Sequence, residues 1–215
     1  MPLKLYFHPL SSFCQKVLVA FYENDTPFEP HIVDLADPAA AAAFKAIWPI
    51  GRFPVLRDDL NDRTIPESSI IIEYLDQHHP GRTRFLPADA QLARETRMRD
   101  RFYDLYVNTP VQKIVTDKLR PAGMNDRCGV QQAKEQLQTA YGLIEQDMAA
   151  KSWAMGDSFS MADCAAAPAL FYADKVLPFA GTHRNAAAYF GRLMERASFA
   201  RAVKEAQPYF AMFPG

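Results

Sequence analysis

The spacing of apolar residues changes once along this chain, and that change limits the fold more than any single motif does. Over about the first 80 residues, short apolar runs alternate with helical patterns. Leu3 to Phe7 is β-prone, and Ser12 to Asn24 carries an apolar stripe at Phe13, Val17, Ala20 and Phe21 with helical spacing. "FEPHIVDL" predicts a second strand, and "DPAAAAAFKAIW" a helix capped by Asp37 with Pro38 in its first turn. Short strands are expected at Pro54 to Leu56 and Arg63 to Ile65, with the turn-rich stretch Asp58 to Asp62 between them. "PESSIIIEYLDQHH" predicts a third helix. The order β-α-β-α-β-β-α implies a parallel pair joined by a crossover, followed by a hairpin.

From Pro87 onward no strand pattern occurs. A long helix is expected from Leu92 to Arg120, bent near Pro110. Val130, Ala133, Leu137, Ala140, Tyr141, Ile144 and Met148 mark an amphipathic helix. "SMADCAAAPALFYADKVL" is apolar on nearly every face and reads as a buried central helix. It is entered through a capping box of Ser160 and Asp163, with Phe159 placed to pack on Cys164. Two further helices are expected from His183 and Ser198. The predicted organisation is an α/β unit over 1–80, a linker over 81–87 and an all-helical domain over 88–215.

Lys and Arg number 24 against 25 Asp and Glu, so charge offers no reason to expect nucleic acid or an anionic membrane as partner. Arg94, Arg97, Arg99 and Arg101 are interrupted by Glu95 and Asp100 and read as a solvated helix face. Cys14, Cys128 and Cys164 are too few and too scattered for a disulfide framework or a zinc site. "MPLKLYF" lacks the pattern of a secretory leader, and no apolar run is long enough to span a bilayer. A reduced, cytoplasmic setting is expected, with no metal.

Three short stretches can carry chemistry. In "HPLSSFCQKV", Ser11 and Ser12 stand at a helix mouth, where unpaired amides carry partial positive charge. Either serine can simply cap the helix; either can also donate a hydrogen bond to an anion held there, and a thiolate suits that field. Ser-x-x-Cys lacks the first thiol of a redox pair, so Cys14 reads as a small buried hydrophobe. His8 has no partner in sequence and reads as a surface or loop residue. In "GRFPVL", Pro54 begins a strand and suits a cis bond, which would leave the Val55 backbone free to pair with a peptide-like ligand. In "IPESSII", Glu67 and Ser68 open a helix and together suit the two charges of an amino-acid head.

The order and spacing of these stretches resemble the cytosolic glutathione transferases, over essentially the whole chain. "SSFCQKV" is similar to the serine motif of the zeta and theta-like classes, "GRFPVL" to the family's cis-proline segment, and "IPESSIIIEYLD" to its most specific motif. "FSMADCAAAPAL" resembles the capping-box helix of its second domain. The resemblance implies a thioredoxin-like first domain, an all-α second domain, and glutathione as co-substrate. Glutathione would meet Glu67 and Ser68 with its γ-glutamyl head and the Phe53-Pro54-Val55 segment with its cysteinyl backbone. Lys45 and Arg52 are candidates for its glycine carboxylate. Its sulfur would lie near Ser11, with Ser12 and Tyr6 as alternatives. Tyr103, Tyr106 and Val107 would line a pocket for a hydrophobic electrophile, with Tyr209 to Phe213 as a lid. A homodimer is implied, with Phe53 and the Arg-rich helix as contacts. The expected function is addition of glutathione to an electrophile. The alternatives are a noncatalytic binding module on the same fold and a glutathione-dependent isomerase of maleyl-type substrates.

Overall fold

The computed structural model describes residues 3–214. Met1 and Pro2, where the expected absence of a leader begins, and Gly215 lie outside the described residues. Four strands, β1 (Leu3–Phe7), β2 (Glu29–Ile32), β3 (Val55–Asp58) and β4 (Arg63–Pro66), form one mixed sheet in the order β2-β1-β3-β4. β1 and β2 are parallel, as the connecting helix α1 (Ser12–Glu23) requires; β1–β3 and β3–β4 are antiparallel. Pro30 lies in β2, an edge strand, where its missing N–H costs no central ladder bond.

Alternation along β1 sends Leu3, Leu5 and Phe7 into the main core. Tyr6 points to the other face, where it packs with Val33, Phe44 and Val55 beneath α2 (Pro38–Ile47). The main core lies on the α1 and α3 (Ser68–His78) side and runs without a break into the helical half.

That half comprises α4 (Ala90–Phe102), a π-helical segment (Tyr103–Asn108), α5 (Thr109–Lys118), α6 (Arg127–Asp147), α7 (Met161–Val176), α8 (Arg184–Glu195), α9 (Ala197–Ala206) and a final 3-10 turn (Gln207–Met212). α7 is buried continuously from Met161 to Ala173. Its capping box forms: Oδ2 of Asp163 accepts from the Ser160 N–H at 2.9 Å and the Ser160 hydroxyl at 3.0 Å. Its Oδ1 accepts from the Ala154 N–H at 2.8 Å and the Tyr189 hydroxyl at 2.6 Å. The Phe159 ring packs edge-on to Trp153, at 5.3 Å between centroids.

The helix expected from Leu92 to Arg120, bent near Pro110, is one continuous helical run made of α4, the π segment and α5. The departure from α geometry lies just ahead of Pro110. Proline has no N–H to donate four residues back, and the Thr109 N–H instead bonds the Asp104 carbonyl five residues back. The Arg-rich face of α4 is less purely solvated than its charge pattern implies. Arg97 grips Glu73 of α3 through two bonds of 2.7 and 2.8 Å, and Arg99 pairs with Asp147 of α6.

A candidate glutathione site at the open end of the sheet

Strand register brings the three chemical stretches to one place. Tyr6 of β1 lies opposite Val55 of β3, and Val55 lies opposite Pro66 of β4. The chain leaving β1, the chain entering β3 and the chain leaving β4 therefore share one end of the sheet. His8–Ser12, Phe53-Pro54 and Glu67–Ser69 all emerge there.

Ser11 is the N-cap of α1. Its backbone is extended, and its Oγ accepts from the Cys14 N–H at a long 3.4 Å. The cap is thus Ser11 rather than Ser12, which begins the helix and is buried. Such a long cap bond holds the hydroxyl only loosely, and its proton is left to donate elsewhere. Cys14 is fully buried, and burial pushes its thiol up to about 12, as suits an inert core residue.

Ser11 and Ser12 open onto a cavity of about 420 Å³. Phe53, Val111, Val115, Leu119, Met212 and Phe213 supply most of its apolar wall, and His8, Asn108, Gln112, Thr116 and Tyr172 its polar part. His8 does lie in the loop after β1, and it also lines the cavity. Its Nδ1 accepts from the Leu10 N–H at 3.2 Å, its ring meets Tyr209 edge-on at 5.1 Å, and burial lowers its pKa. The C-terminal segment expected as a lid does reach the cavity, through Met212 and Phe213.

The expected electrophile residues are corrected. Tyr103 is buried beside Tyr189, Val107 is wholly buried, and Tyr106 is exposed against Phe102; none lines the cavity. The lining falls instead to Asn108, Val111, Gln112 and Val115. Tyr6, stacked on His31 at 4.8 Å, does not line the cavity either.

The expectation of free backbone at Val55 is also corrected. Val55 is buried and in register with a residue on each side, so it is an interior strand position. Phe53, one residue before Pro54, is the residue with free groups: the Phe53-Pro54 peptide is cis, and neither the N–H nor the C=O of Phe53 has a hydrogen-bond partner among the described residues. Phe53 lines the cavity, stacked near His8 at 6.2 Å.

Glu67 holds a φ of +73°, a left-handed value that a residue with a Cβ adopts only under constraint. It is the N-cap of α3 without a side-chain capping bond, so its exposed carboxylate and the first amides of the helix stay available. Ser68 is buried behind it. Ser69 accepts from Lys16 Nζ at 2.8 Å and donates to Asp100 at 2.6 Å. Lys16 is itself buried between Asp100 and Asp104, at 2.6 and 2.8 Å. This cluster ties α1, α3 and α4 together directly behind the site. Glu67, Ser69, Arg97, Asp100 and Arg101 line a second recess of about 250 Å³. Lys45 and Arg52 are exposed, and the Lys45 stem lies across Gly51. Lys45, Arg52, Pro54, Val55 and Ser68 line neither cavity.

A thioredoxin-like sheet unit, a serine at the first helix mouth and a helical half closing an apolar cavity define a glutathione-transferase type of protein. The chain matches the family models "Glutathione S-transferase, N-terminal domain" over residues 5–83 and "Glutathione S-transferase, C-terminal domain" over residues 125–194. Glutathione S-transferase 3 of Zea mays is 32% identical over 168 residues, 75% of this chain and 74% of that protein. GstB of Escherichia coli K12, a glutathione S-transferase, is 24% identical over 159 residues, 73% of this chain and 76% of that protein. The crystal structure of a glutathione S-transferase from Methylobacillus flagellatus, with GSH bound, superposes with a TM-score of 0.84 at 27% identity, covering 93% of this chain and 98% of that one. The chain belongs to the glutathione S-transferase family. No helix among the described residues is long and apolar enough to cross a membrane.

Proposed function

We propose that this chain is a serine-type glutathione transferase whose Ser11 hydroxyl holds the glutathione thiolate. Its activity is glutathione transfer to an electrophilic small molecule. The observation that carries the role of Ser11 is its double position, at the N-terminus of α1 and on the wall of the apolar cavity. The helix field and a donated hydrogen bond both favour the sulfur anion over the thiol. Each pKa unit by which they lower the thiol corresponds to about 1.4 kcal/mol.

Glutathione then lies along the sheet end. Its γ-glutamyl ammonium meets the Glu67 carboxylate, and its α-carboxylate meets Ser68 and the free α3 amides. Its cysteinyl backbone pairs with the free N–H and C=O of Phe53. Lys45 and Arg52, both exposed, are the candidates for the glycine carboxylate. The electrophile enters between Phe53 and α5, beneath Met212 and Phe213. Two chains associate as a dimer through the exposed apolar residues Ile70, Met98, Leu105 and Tyr106.

The test is glutathione titration monitored by ultraviolet thiolate absorbance and by melting temperature. Wild type is expected to bind and to show thiolate at neutral pH. Ser11→Ala is expected to bind glutathione but to lose that absorbance, with the pH–rate limb displaced upward by roughly one unit. Loss of the signal in Tyr6→Phe or Ser12→Ala, with Ser11→Ala unaffected, would refute the assignment. Binding without turnover on any electrophile would identify a noncatalytic module.

A further inference from the structure

Two peptide groups lead from β1 into Ser11, in a stretch that belongs to no helix or strand, and each is held at both ends. In the Pro9–Leu10 peptide, the carbonyl accepts from Gln15 Nε2 at 2.9 Å and the N–H donates to His8 Nδ1 at 3.2 Å. In the Leu10–Ser11 peptide, the carbonyl accepts from the Tyr172 hydroxyl at 2.7 Å and the N–H donates to the His8 carbonyl at 3.0 Å. A peptide group is planar, so holding its two ends fixes its orientation and the direction in which the next residue leaves it. Ser11 depends on that outside support, because its own capping bond is a long 3.4 Å.

Both carbonyls are held by one linked pair of side chains. Gln15 Nε2 also donates to the Tyr172 hydroxyl at 3.1 Å, so α1 and α7 grip the loop together. Burial pushes the Tyr172 phenol up, which keeps the proton on its oxygen, and that proton is given to Leu10. Tyr172 shares the cavity wall with Ser11, yet with its proton spent on Leu10 it acts on a bound anion only through the loop. Gln15 is wholly buried, and its Oε1 has no hydrogen-bond partner among the described residues. A buried acceptor left unpaired costs stability. Packing alone would be better served by an apolar side chain, so the two donated bonds are what an amide adds at this position.

We propose that Tyr172, working with Gln15, is a positioning residue for the Ser11 hydroxyl, so that a side chain of the helical half sets the aim of a serine carried by the sheet unit. The inference rests on the reading of Ser11 as the hydrogen-bond donor to the glutathione thiolate. A hydrogen bond weakens steeply as its donor turns away or draws back, so a small rotation of the Leu10–Ser11 peptide is enough to cost Ser11 much of its hold on the sulfur. Removing the Tyr172 hydroxyl frees the Leu10 carbonyl to turn. Removing the Gln15 amide frees the Pro9 carbonyl and takes away one partner of the Tyr172 hydroxyl. Either change reaches the thiolate only by way of Ser11, and that dependence separates positioning from general support of the fold.

The experiment titrates the thiol of bound glutathione by ultraviolet absorbance in wild type, Tyr172→Phe and Gln15→Met, and again with each change placed on Ser11→Ala. Each single variant is expected to raise the thiol pKa by roughly half a unit, less than Ser11→Ala does, while glutathione still raises its melting temperature. On Ser11→Ala neither change is expected to add a further rise, because the hydroxyl they position is gone. If Tyr172→Phe alone fails to fold, Gln15→Met decides by the same two measurements. An equal rise with and without Ser11, or no rise in either single variant, would overturn the inference and leave the Ser11 assignment standing. Unfolding of both single variants would give the pair a structural role and overturn it too. An unchanged pKa in Ser11→Ala itself would overturn the underlying reading instead.

Discussion

At the scale of single residues, the chemistry of a side chain here follows from its few nearest atoms. Cys14 stands three residues from Ser11, at the mouth of a helix whose field would activate an accessible thiol. Burial decides otherwise, holding its thiol at about 12. Cys164 is buried in α7 and likewise pushed up by burial, whereas Cys128 is exposed. Iodoacetamide applied to the native protein is therefore expected to label Cys128 alone, with Cys14 and Cys164 labelled only after denaturation. Peptide mass spectrometry distinguishes the three, and rapid native labelling of Cys14 would contradict its inert role. The residue scale is also where the sequence was least legible. Val55 and Phe53 are two positions apart, and only the strand register separates the paired one from the free one. Nothing local marks His8 as a cavity residue, because the ring that meets it, Tyr209, is some two hundred positions away along the chain.

At the scale of elements, the pattern of apolar residues was readable and its phase was not. The strands, the helices of both halves and the α7 cap follow from alternation, helical spacing and the Ser160–Asp163 pair. The pocket face of the α4–α5 run does not: Tyr103 and Val107 pack into the core, Tyr106 is exposed, and the lining falls to Asn108, Val111 and Val115. Helix junctions show the same dependence on distant partners. Glu23, near the end of α1, is buried and forks with Arg196 at 2.7 and 2.6 Å, while Ser198 donates to it at 2.5 Å. Burial pushes the Glu23 carboxyl up, but Arg196 and Ser198 outweigh it, and the net pKa falls below the usual value. A folded pKa below the unfolded one means that the stability it contributes is present above the unfolded value, near 4.3, and lost as pH falls through the folded one. Arg196→Met leaves a buried carboxylate unpaired and is expected to cost about 3 kcal/mol at neutral pH. Burial would then dominate, so the variant should recover part of that deficit on acidification. Urea denaturation at several pH values reads both effects, and a deficit independent of pH would contradict the assigned pairing.

At the scale of the whole molecule, Ile70, Met98, Leu105 and Tyr106 are each about half exposed, near α3, α4 and the π segment. The proposed dimer would cover them. Sedimentation equilibrium should give twice the 24.2 kDa chain mass. Met98→Glu combined with Leu105→Glu should shift the chain to monomer, and a wild type that sediments as a monomer would refute the dimer.

Helix α1 belongs to the sheet unit by sequence, yet it packs against α7 and α9 as well as α3. Its Gln15, Lys16 and Glu23 reach Tyr172, Asp104 and Arg196 respectively, all in the helical half. The two halves therefore cannot be exchanged between relatives like interchangeable cassettes. A borrowed helical half would have to bring its own acceptors and donors for those three side chains.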